Sequence, residues 1–188
     1  SYSTAENMLT RAQVTKNDTL LITGASGGVG SAAIQLAKAR GARVIAVAGD
    51  KKQQSVRDAG ADQALVRGAS LEAALGENSV DVVIDLVGGE DWPELLTILT
   101  PFGRYAVSGA IAGPIVKLDL RTLYLKDQRF LGCTVLDDGV FSRLVGLIEQ
   151  GDIKPLLARS FALESLSEAQ AFFLDKQFTG KLVIDMAL

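Results

Sequence analysis

The fold of this chain is decided by one stretch, Leu20-Leu21-Ile22-Thr23-Gly24-Ala25-Ser26-Gly27-Gly28-Val29-Gly30. Four apolar or β-branched residues run into a cluster of glycines, and apolar residues at helical spacing follow directly. A strand, a tight glycine turn and a helix in this order are typical of the phosphate-binding turn of a dinucleotide-binding fold. Counted from Ala25 the spacing is A-x-G-x-x-G, so the strand–turn–helix context carries the prediction more than the glycines do.

The start of the predicted helix is the expected binding point for a pyrophosphate. A helix N-terminus has unpaired N–H groups and a partial positive charge. We expect the backbone N–H groups of Ser26, Gly27, Gly28 and Val29 to face the phosphates, with Gly27 allowing close approach. Gly30 should let the helix pack tightly on the strand. The alternative is a glycine-rich turn that binds no ligand.

Composition excludes several functional classes. The 188 residues carry 19 Lys+Arg against 22 Asp+Glu, a net charge of −3, and show no basic block for nucleic acid and no basic amphipathic helix for a membrane. The single cysteine, Cys133, excludes an internal disulfide framework, and the lack of histidine excludes a Cys/His zinc site or a histidine-based catalytic triad. We expect a soluble, cytoplasmic protein with no membrane span and no signal peptide.

Strand and helix patterns alternate six times along the chain, which predicts an α/β fold with a doubly wound, six-stranded parallel sheet of Rossmann type. The fourth strand, 80–87, is almost wholly apolar, as expected of a strand buried on both faces. The sixth strand is predicted over 129–135. A short strand, a helix and a strand follow as a C-terminal appendage. We place the domain boundary between 1–152 and 153–188.

Two helix starts are predicted from capping patterns. Ser3 and Glu6 have the spacing of a capping box for a first helix. Asp50 is expected to be the N-cap of the helix that follows the second strand.

The end of the second strand indicates which cofactor is bound. Folds specific for NAD place an acid there to bind the ribose 2′-hydroxyl, but this position is Ala48. Lys51, Lys52 and Arg67 are close enough in the predicted topology to bind a 2′-phosphate. We therefore predict NADP, with NAD as the alternative because Asp50 is near the same position.

Other candidate contacts lie where strands end, since open α/β sheets bind ligands at the carboxyl ends of their strands. Val87 and Gly88 follow the fourth strand, and Ser108, Gly109 and Ala110 follow the fifth. Each set has an ordinary strand-end turn as its alternative. Asp85 is expected in a turn or capping role, and Trp92 in the core.

The chain resembles the medium-chain dehydrogenase/reductases, and among them the quinone oxidoreductase branch that uses no zinc. The resemblance is carried by 24–30 (GASGGVG), 35–38 (QLAK), 60–62 (GAD), 85–89 (DLVGG), 102–104 (FGR) and 180–184 (GKLVI).

The resemblance implies a role for several residues. Ser108, Gly109 and Ala110 would flank the nicotinamide, and 132–134, which includes Cys133, would contribute backbone near its carboxamide. Lys181 would contact the pyrophosphate, with a solvated lysine as the alternative. Two copies would form a homodimer by joining sixth-strand edges, 130–135, unless this edge is covered in a monomer.

The resemblance also implies an activity. The chain would be the cofactor domain of an oxidoreductase that transfers hydride between the nicotinamide and a small-molecule substrate: a quinone, an enone, an aldehyde or an alcohol. The family's catalytic domain would supply the rest of the site, so we assign no catalytic residue and no metal ligand here. We expect the chain alone to bind cofactor without turnover.

A short-chain dehydrogenase and a non-catalytic nucleotide-sensing module are the two alternative functions. A short-chain dehydrogenase needs a lysine four residues after its tyrosine, and none follows Tyr2, Tyr105 or Tyr124 at that spacing. A non-catalytic nucleotide-sensing module remains the alternative.

Overall fold

The computed structural model describes residues 1–175 and 177–186. Its main sheet has six strands: β1 (Thr19–Ile22), β2 (Arg43–Ala48), β3 (Gln63–Val66), β4 (Val80–Asp85), β5 (Leu99–Val107) and β6 (Arg129–Gly132). The strands lie in the order β3-β2-β1-β4-β5-β6, and every neighbouring pair is parallel. The predicted doubly wound parallel sheet is confirmed. The strand order reverses between β1 and β4, which is where such sheets bind ligands.

Helices cover both faces of this sheet. They are α1 (Tyr2–Arg11), α2 (Gly28–Ala39), α3 (Gln53–Asp58), α4 (Leu71–Leu75), α5 (Trp92–Ile98), α6 (Leu120–Leu125), α7 (Val140–Glu149) and α8 (Leu166–Asp175), with 3₁₀ turns at Asp50–Lys52 and Leu163–Ser165. Successive side chains of β1 alternate between the faces. Leu20 and Ile22 join the core under α1 and α2, whereas Leu21 joins the core under α4 and α5.

The C-terminal segment forms the predicted appendage. β7 (Leu157–Ala162) and β8 (Lys181–Asp185) pair in parallel as a separate two-stranded sheet, and α8 connects them. Several hydrogen bonds tie the segment to the helices and turns around the main sheet. The amide of Lys154 donates to Gln35 Oε1 at 3.0 Å, and Lys52 Nζ donates to the carbonyl of Phe178 at 2.7 Å.

The sixth strand is shorter than predicted. β6 ends at Gly132 rather than at Val135, although the amide of Cys133 still donates to Val107 O at 2.9 Å. The chain then turns towards α1, where the buried side chain of Asn7 binds the carbonyl of Val135 and the amide of Asp137, each at 3.0 Å. These two bonds draw the segment away from the sheet edge.

Both predicted capping interactions are wrong. α1 begins at Tyr2 with Ser1 as N-cap, and Glu6 is instead 1% exposed, with Oε1 2.7 Å from Arg40 and 3.3 Å from Arg143. Tertiary ion pairing to α2 and α7 therefore decides the role of Glu6.

The turn after β2 is also arranged differently from the prediction. Gly49 is the N-cap of the 3₁₀ turn that Asp50 begins, and no side chain described there caps this turn. Gln53 Nε2 crosses the turn and donates to Ala48 O and Leu65 O, each at 3.1 Å, so an amide side chain joins the ends of β2 and β3.

Candidate dinucleotide-binding site

The glycine turn between β1 and α2 is closed by its own backbone. Gly24 has φ +58°, a conformation that favours glycine, and its carbonyl accepts the amide of Gly27 at 3.0 Å. A β-carbon on Gly30 would overlap the Gly24 carbonyl oxygen and the Ala25 backbone. Gly30 is tightly packed, but against the turn rather than against the strand as predicted.

The N-terminus of α2 presents unpaired amides beside this turn. The first amides of a helix, here those of Gly28 and Val29, have no acceptor within it, and no side chain in the described parts of the chain caps α2. The amide of Gly27 does not belong with them, contrary to the prediction, because it is bound to Gly24 O. Ser26 lies half-buried in the same turn.

Lys181, the first residue of β8, brings a cation to this point. A β-carbon on Gly28 would overlap Lys181 Nζ, which also donates to Ser1 Oγ. The backbone around Lys181 is held in place, since its amide donates to Leu156 O at 2.8 Å. Partial burial lowers the pKa of the Lys181 ammonium. An ammonium beside the positive end of a helix fits an anion between them, so these residues fit a pyrophosphate.

The end of β2 lies next to Arg67, as predicted. The buried Ala48 accepts the amide of Arg67 at 2.8 Å, and the exposed Arg67 side chain lines a cleft shared with Thr23 and Gly24. Lys51 is exposed. Lys52 points to the C-terminal segment through its bond to Phe178, and partial burial lowers its pKa.

Val87 lies against the glycine turn, because a β-carbon on Gly24 would lie 3.1 Å from Val87 Cγ2, and Gly88 lines the same cleft as Gly24. Asp85, fully buried at the end of β4, accepts hydrogen bonds from the amides of Val87 at 2.9 Å and Gly88 at 3.1 Å. The capping role expected of Asp85 is confirmed. Trp92 is buried in an edge-to-face contact with Tyr105, ring centres 5.7 Å apart, which confirms its core role.

A second groove lies where β5 and β6 end. It brings together the residues predicted to flank the nicotinamide and its carboxamide, and is lined by Arg11, Val107, Ser108, Gly109, Ala110, Gly132, Cys133, Thr134 and Val135. Cys133 is buried, which raises the pKa of its thiol. Sequence reasoning missed Arg11. No motif of the sequence marks Arg11, because only the fold brings α1 to the ends of β5 and β6.

The described residues offer neither a cluster of metal ligands nor a membrane-spanning helix. Across 1–175 and 177–186, no group of three or more His, Cys, Asp or Glu side chains is placed to hold a metal ion. The chain contains no histidine and one cysteine, so its own residues do not fit a Cys/His zinc site. Among these same residues no helix has the length and apolar character needed to cross a membrane.

Known proteins similar to this chain are oxidoreductases. The family model described as zinc-binding dehydrogenase matches residues 28–150. An acryloyl-coenzyme A reductase of Sulfurisphaera tokodaii is 34% identical over 91% of this chain and 52% of its own length. Quinone oxidoreductase-like protein 2 of Bos taurus is 33% identical over 99% of this chain and 58% of its own length. The chain thus spans about half the length of the curated relatives it matches.

Solved structures agree with this assignment. A protein assigned as an alcohol dehydrogenase from Sinorhizobium meliloti 1021 is 50% identical with a TM-score of 0.90, covering 97% of this chain and 52% of its own. A 2-octenoyl-CoA carboxylase reductase, solved with NADP and 2-octenoyl-CoA, is 25% identical with a TM-score of 0.87. The match covers 99% of this chain and 48% of that one. From its glycine turn, its strand order and these matches, the chain belongs to the medium-chain dehydrogenase/reductase family.

Proposed function

We propose that this chain is the cofactor-binding part of an NADP(H)-dependent oxidoreductase acting on a quinone, an enone, an aldehyde or an alcohol. When bound, the nicotinamide supplies or accepts a hydride at its C4 atom. The chain's own residues bind the dinucleotide along the carboxyl ends of the strands and hold one side of the reacting ring.

The observation that carries this proposal is the cradle at the start of α2. The amides of Gly28 and Val29 are unpaired at the start of α2, and the ammonium of Lys181 lies beside Gly28. Amides fixed by a helix and a cation fixed by a neighbouring strand bind a phosphate without reorganising, which favours affinity.

The preference for NADP rests on the other end of the cleft. Ala48 leaves no carboxylate to repel a 2′-phosphate, and Arg67 follows β3 directly beside it. A guanidinium binds phosphate through paired hydrogen bonds. Lys52 reaches a 2′-phosphate only if it shares its ammonium with Phe178 O or releases that carbonyl.

We further propose that the protein forms a homodimer through β6. β6 is the terminal strand of the main sheet, and no described strand pairs with its outer side. An open strand edge is a template for pairing with a second chain, and a two-fold axis would join two such edges.

We also propose that this chain, assayed alone, binds cofactor without turnover. The groove beside Ser108 and Cys133 is open and supplies one wall, whereas hydride transfer requires both reactants to be held and water excluded. A non-catalytic nucleotide-sensing module would bind cofactor in the same way, so turnover separates the two.

Two measurements test the preference for NADP and the absence of turnover. Calorimetric titration should give tighter binding of NADPH than NADH, and equal or tighter NADH binding would contradict the preference. In a stopped-flow assay with quinones and enones, the chain alone should leave NADPH unoxidised. The chain joined to a catalytic domain of the family should oxidise it. Rapid oxidation by the chain alone would show that the site is complete here.

A further inference from the structure

We propose that Asp85 is a positioning residue that, together with Thr23 and Tyr105, holds the loop 86–89 as the wall between the two halves of the cofactor cleft. This inference rests on the proposed cofactor role of the site. It adds a fully buried carboxylate at the base of the cleft to the residues that decide how well a dinucleotide is held.

The carboxylate of Asp85 is bound entirely by hydrogen-bond donors. Its Oδ1 accepts Thr23 Oγ1 at 2.6 Å and the amides of Val87 at 2.9 Å and Gly88 at 3.1 Å, while its Oδ2 accepts Tyr105 Oη at 2.5 Å. Asp85 is 0% exposed, and no lysine or arginine of the described residues forms an ion pair with it. A carboxylate buried without a counter-ion is costly unless such donors surround it.

These donors include the backbone of the loop itself. The amide of Leu86 donates to Thr23 Oγ1 at 2.9 Å, so three consecutive loop amides, 86–88, end on Thr23 or Asp85. Gly88 and Gly89 then take φ values of +62° and +88°. This turn brings the Gly89 amide to Gly113 O at 3.1 Å. The side chains of Thr23 and Asp85 therefore hold one side of the loop, and the segment 110–113 holds the other.

The loop lies between the two halves of the cofactor cleft, so holding it in place affects cofactor binding. Gly88 lines the cleft that contains Gly24 and Arg67, and it also lines the neighbouring cavity that contains Gly109 and Ala110. The first of these is the expected adenosine side and the second adjoins the expected nicotinamide side. A shift of the loop would change the distance between the two halves, which a single dinucleotide must span.

Tyr105 supports the carboxylate from the neighbouring strand β5, on the same face of the sheet as Asp85. Its ring makes edge-to-face contacts with Trp92 and Phe130, with centres 5.7 and 5.5 Å apart. Rings locked in this way cannot withdraw the hydroxyl without disturbing the core. The phenol is thus a fixed donor aimed at Asp85.

The test compares two aspartates on the same strand. Asp85→Ala removes the acceptor of the loop amides. The matched control is Asp81→Ala, which removes the acceptor of the Thr19 amide, 2.8 Å away, at the opposite end of β4. We expect Asp85→Ala to weaken NADPH binding at least tenfold and Asp81→Ala to leave the Kd within twofold. Asp85→Asn, which keeps one oxygen for the loop amides, should restore most of the affinity.

Amide hydrogen exchange provides a readout that needs no cofactor. Exchange at 86–88 should accelerate at least tenfold in Asp85→Ala and stay unchanged in Asp81→Ala. If Asp85→Ala does not fold, Thr23→Val removes the acceptor of the Leu86 amide while keeping the side-chain shape, and should weaken NADPH binding several-fold. Unchanged exchange and unchanged Kd, or equal loss of affinity in both aspartate variants, would overturn the inference. Failure of the unmodified chain to bind NADPH would instead overturn the proposed function on which it rests.

Discussion

The ammonium of Lys181 lies directly over Gly28, in the space that a β-carbon at that position would occupy. Lys181 begins the second strand of the appendage, and Gly28 begins the helix that follows the glycine turn. The C-terminal segment thereby contributes a charge to a site whose backbone comes from the N-terminal part of the chain. Two positive groups face each other there, and an anion between them relieves their repulsion.

Replacing this lysine tests the cradle. We expect Lys181→Met to weaken NADPH binding about tenfold, since a charge-assisted hydrogen bond contributes about 1.5 kcal/mol at the low end for a partly exposed group. Calorimetry at two salt concentrations provides the measurement, and the variant should also lose part of the salt dependence. Lys16→Met, on an exposed turn before β1, is the control and should bind as the unmodified chain does. Equal affinity for both variants would exclude Lys181 from the site.

Gly30→Ala should destabilise the fold. Its β-carbon would meet the backbone of Gly24 and Ala25, which cannot move aside as a flexible side chain can. Overpacking of this kind costs about 1–3 kcal/mol in the free energy of unfolding, measured by urea denaturation. The control is Gly146→Ala within α7, where a β-carbon meets nothing within 4 Å. That variant should be more stable by about 0.5–1 kcal/mol. A comparable loss of stability in Gly30→Ala and Gly146→Ala would contradict the packing argument.

Ala48→Asp should reverse the cofactor preference. A carboxylate at the end of β2 would accept hydrogen bonds from a ribose 2′-hydroxyl and repel a 2′-phosphate. We expect NADPH affinity to fall at least tenfold while NADH affinity rises, both measured by calorimetry. Ala48→Ser adds a side chain without charge and should keep the preference for NADPH. An equal loss of affinity for both cofactors in Ala48→Asp would indicate a steric effect at this buried position.

High pH should destabilise the protein through Tyr105. Burial and the hydrogen bond to Asp85 raise the pKa of this phenol far above its usual value of about 10. The unfolded chain loses this proton above about pH 10, whereas the folded chain retains it, so stability is fully present below that pH and falls as the pH rises beyond it. The loss should approach about 1.4 kcal/mol per pH unit. Denaturation of Tyr105→Phe, compared with the unmodified chain between pH 8 and pH 11, should show a correspondingly smaller decline.

Gly132→Pro should separate the proposed dimer. The amide of Cys133 points to β5, so the amide of Gly132 points to the open edge, where proline removes it. Sedimentation should give twice the 19.8 kDa chain mass for the unmodified protein and the single-chain mass for the variant. Gly132→Ala keeps the amide, and its β-carbon has open space, so it should remain dimeric. A single-chain mass for the unmodified protein at micromolar concentration would refute pairing.

The sequence alone determined the features that depend on neighbouring residues. The strand, glycine turn and helix around 20–30 are consecutive, and the alternation of apolar patterns along the chain specified six strands with helices between them. Ala48 and Arg67 could be placed side by side because adjacent strands of a parallel sheet end at the same edge. Local propensity and topology were sufficient in each case.

Tertiary structure decided the features that depend on groups far apart in the chain. Glu6 is an ion-pair partner of Arg40 instead of a capping residue, and Asn7 ends β6 by binding the segment after it. The placement of Lys181 over Gly28 and the donors around Asp85 likewise come from separate elements. A buried charge or amide must find its partners wherever the fold brings them, and no spacing along the sequence records which ones those are.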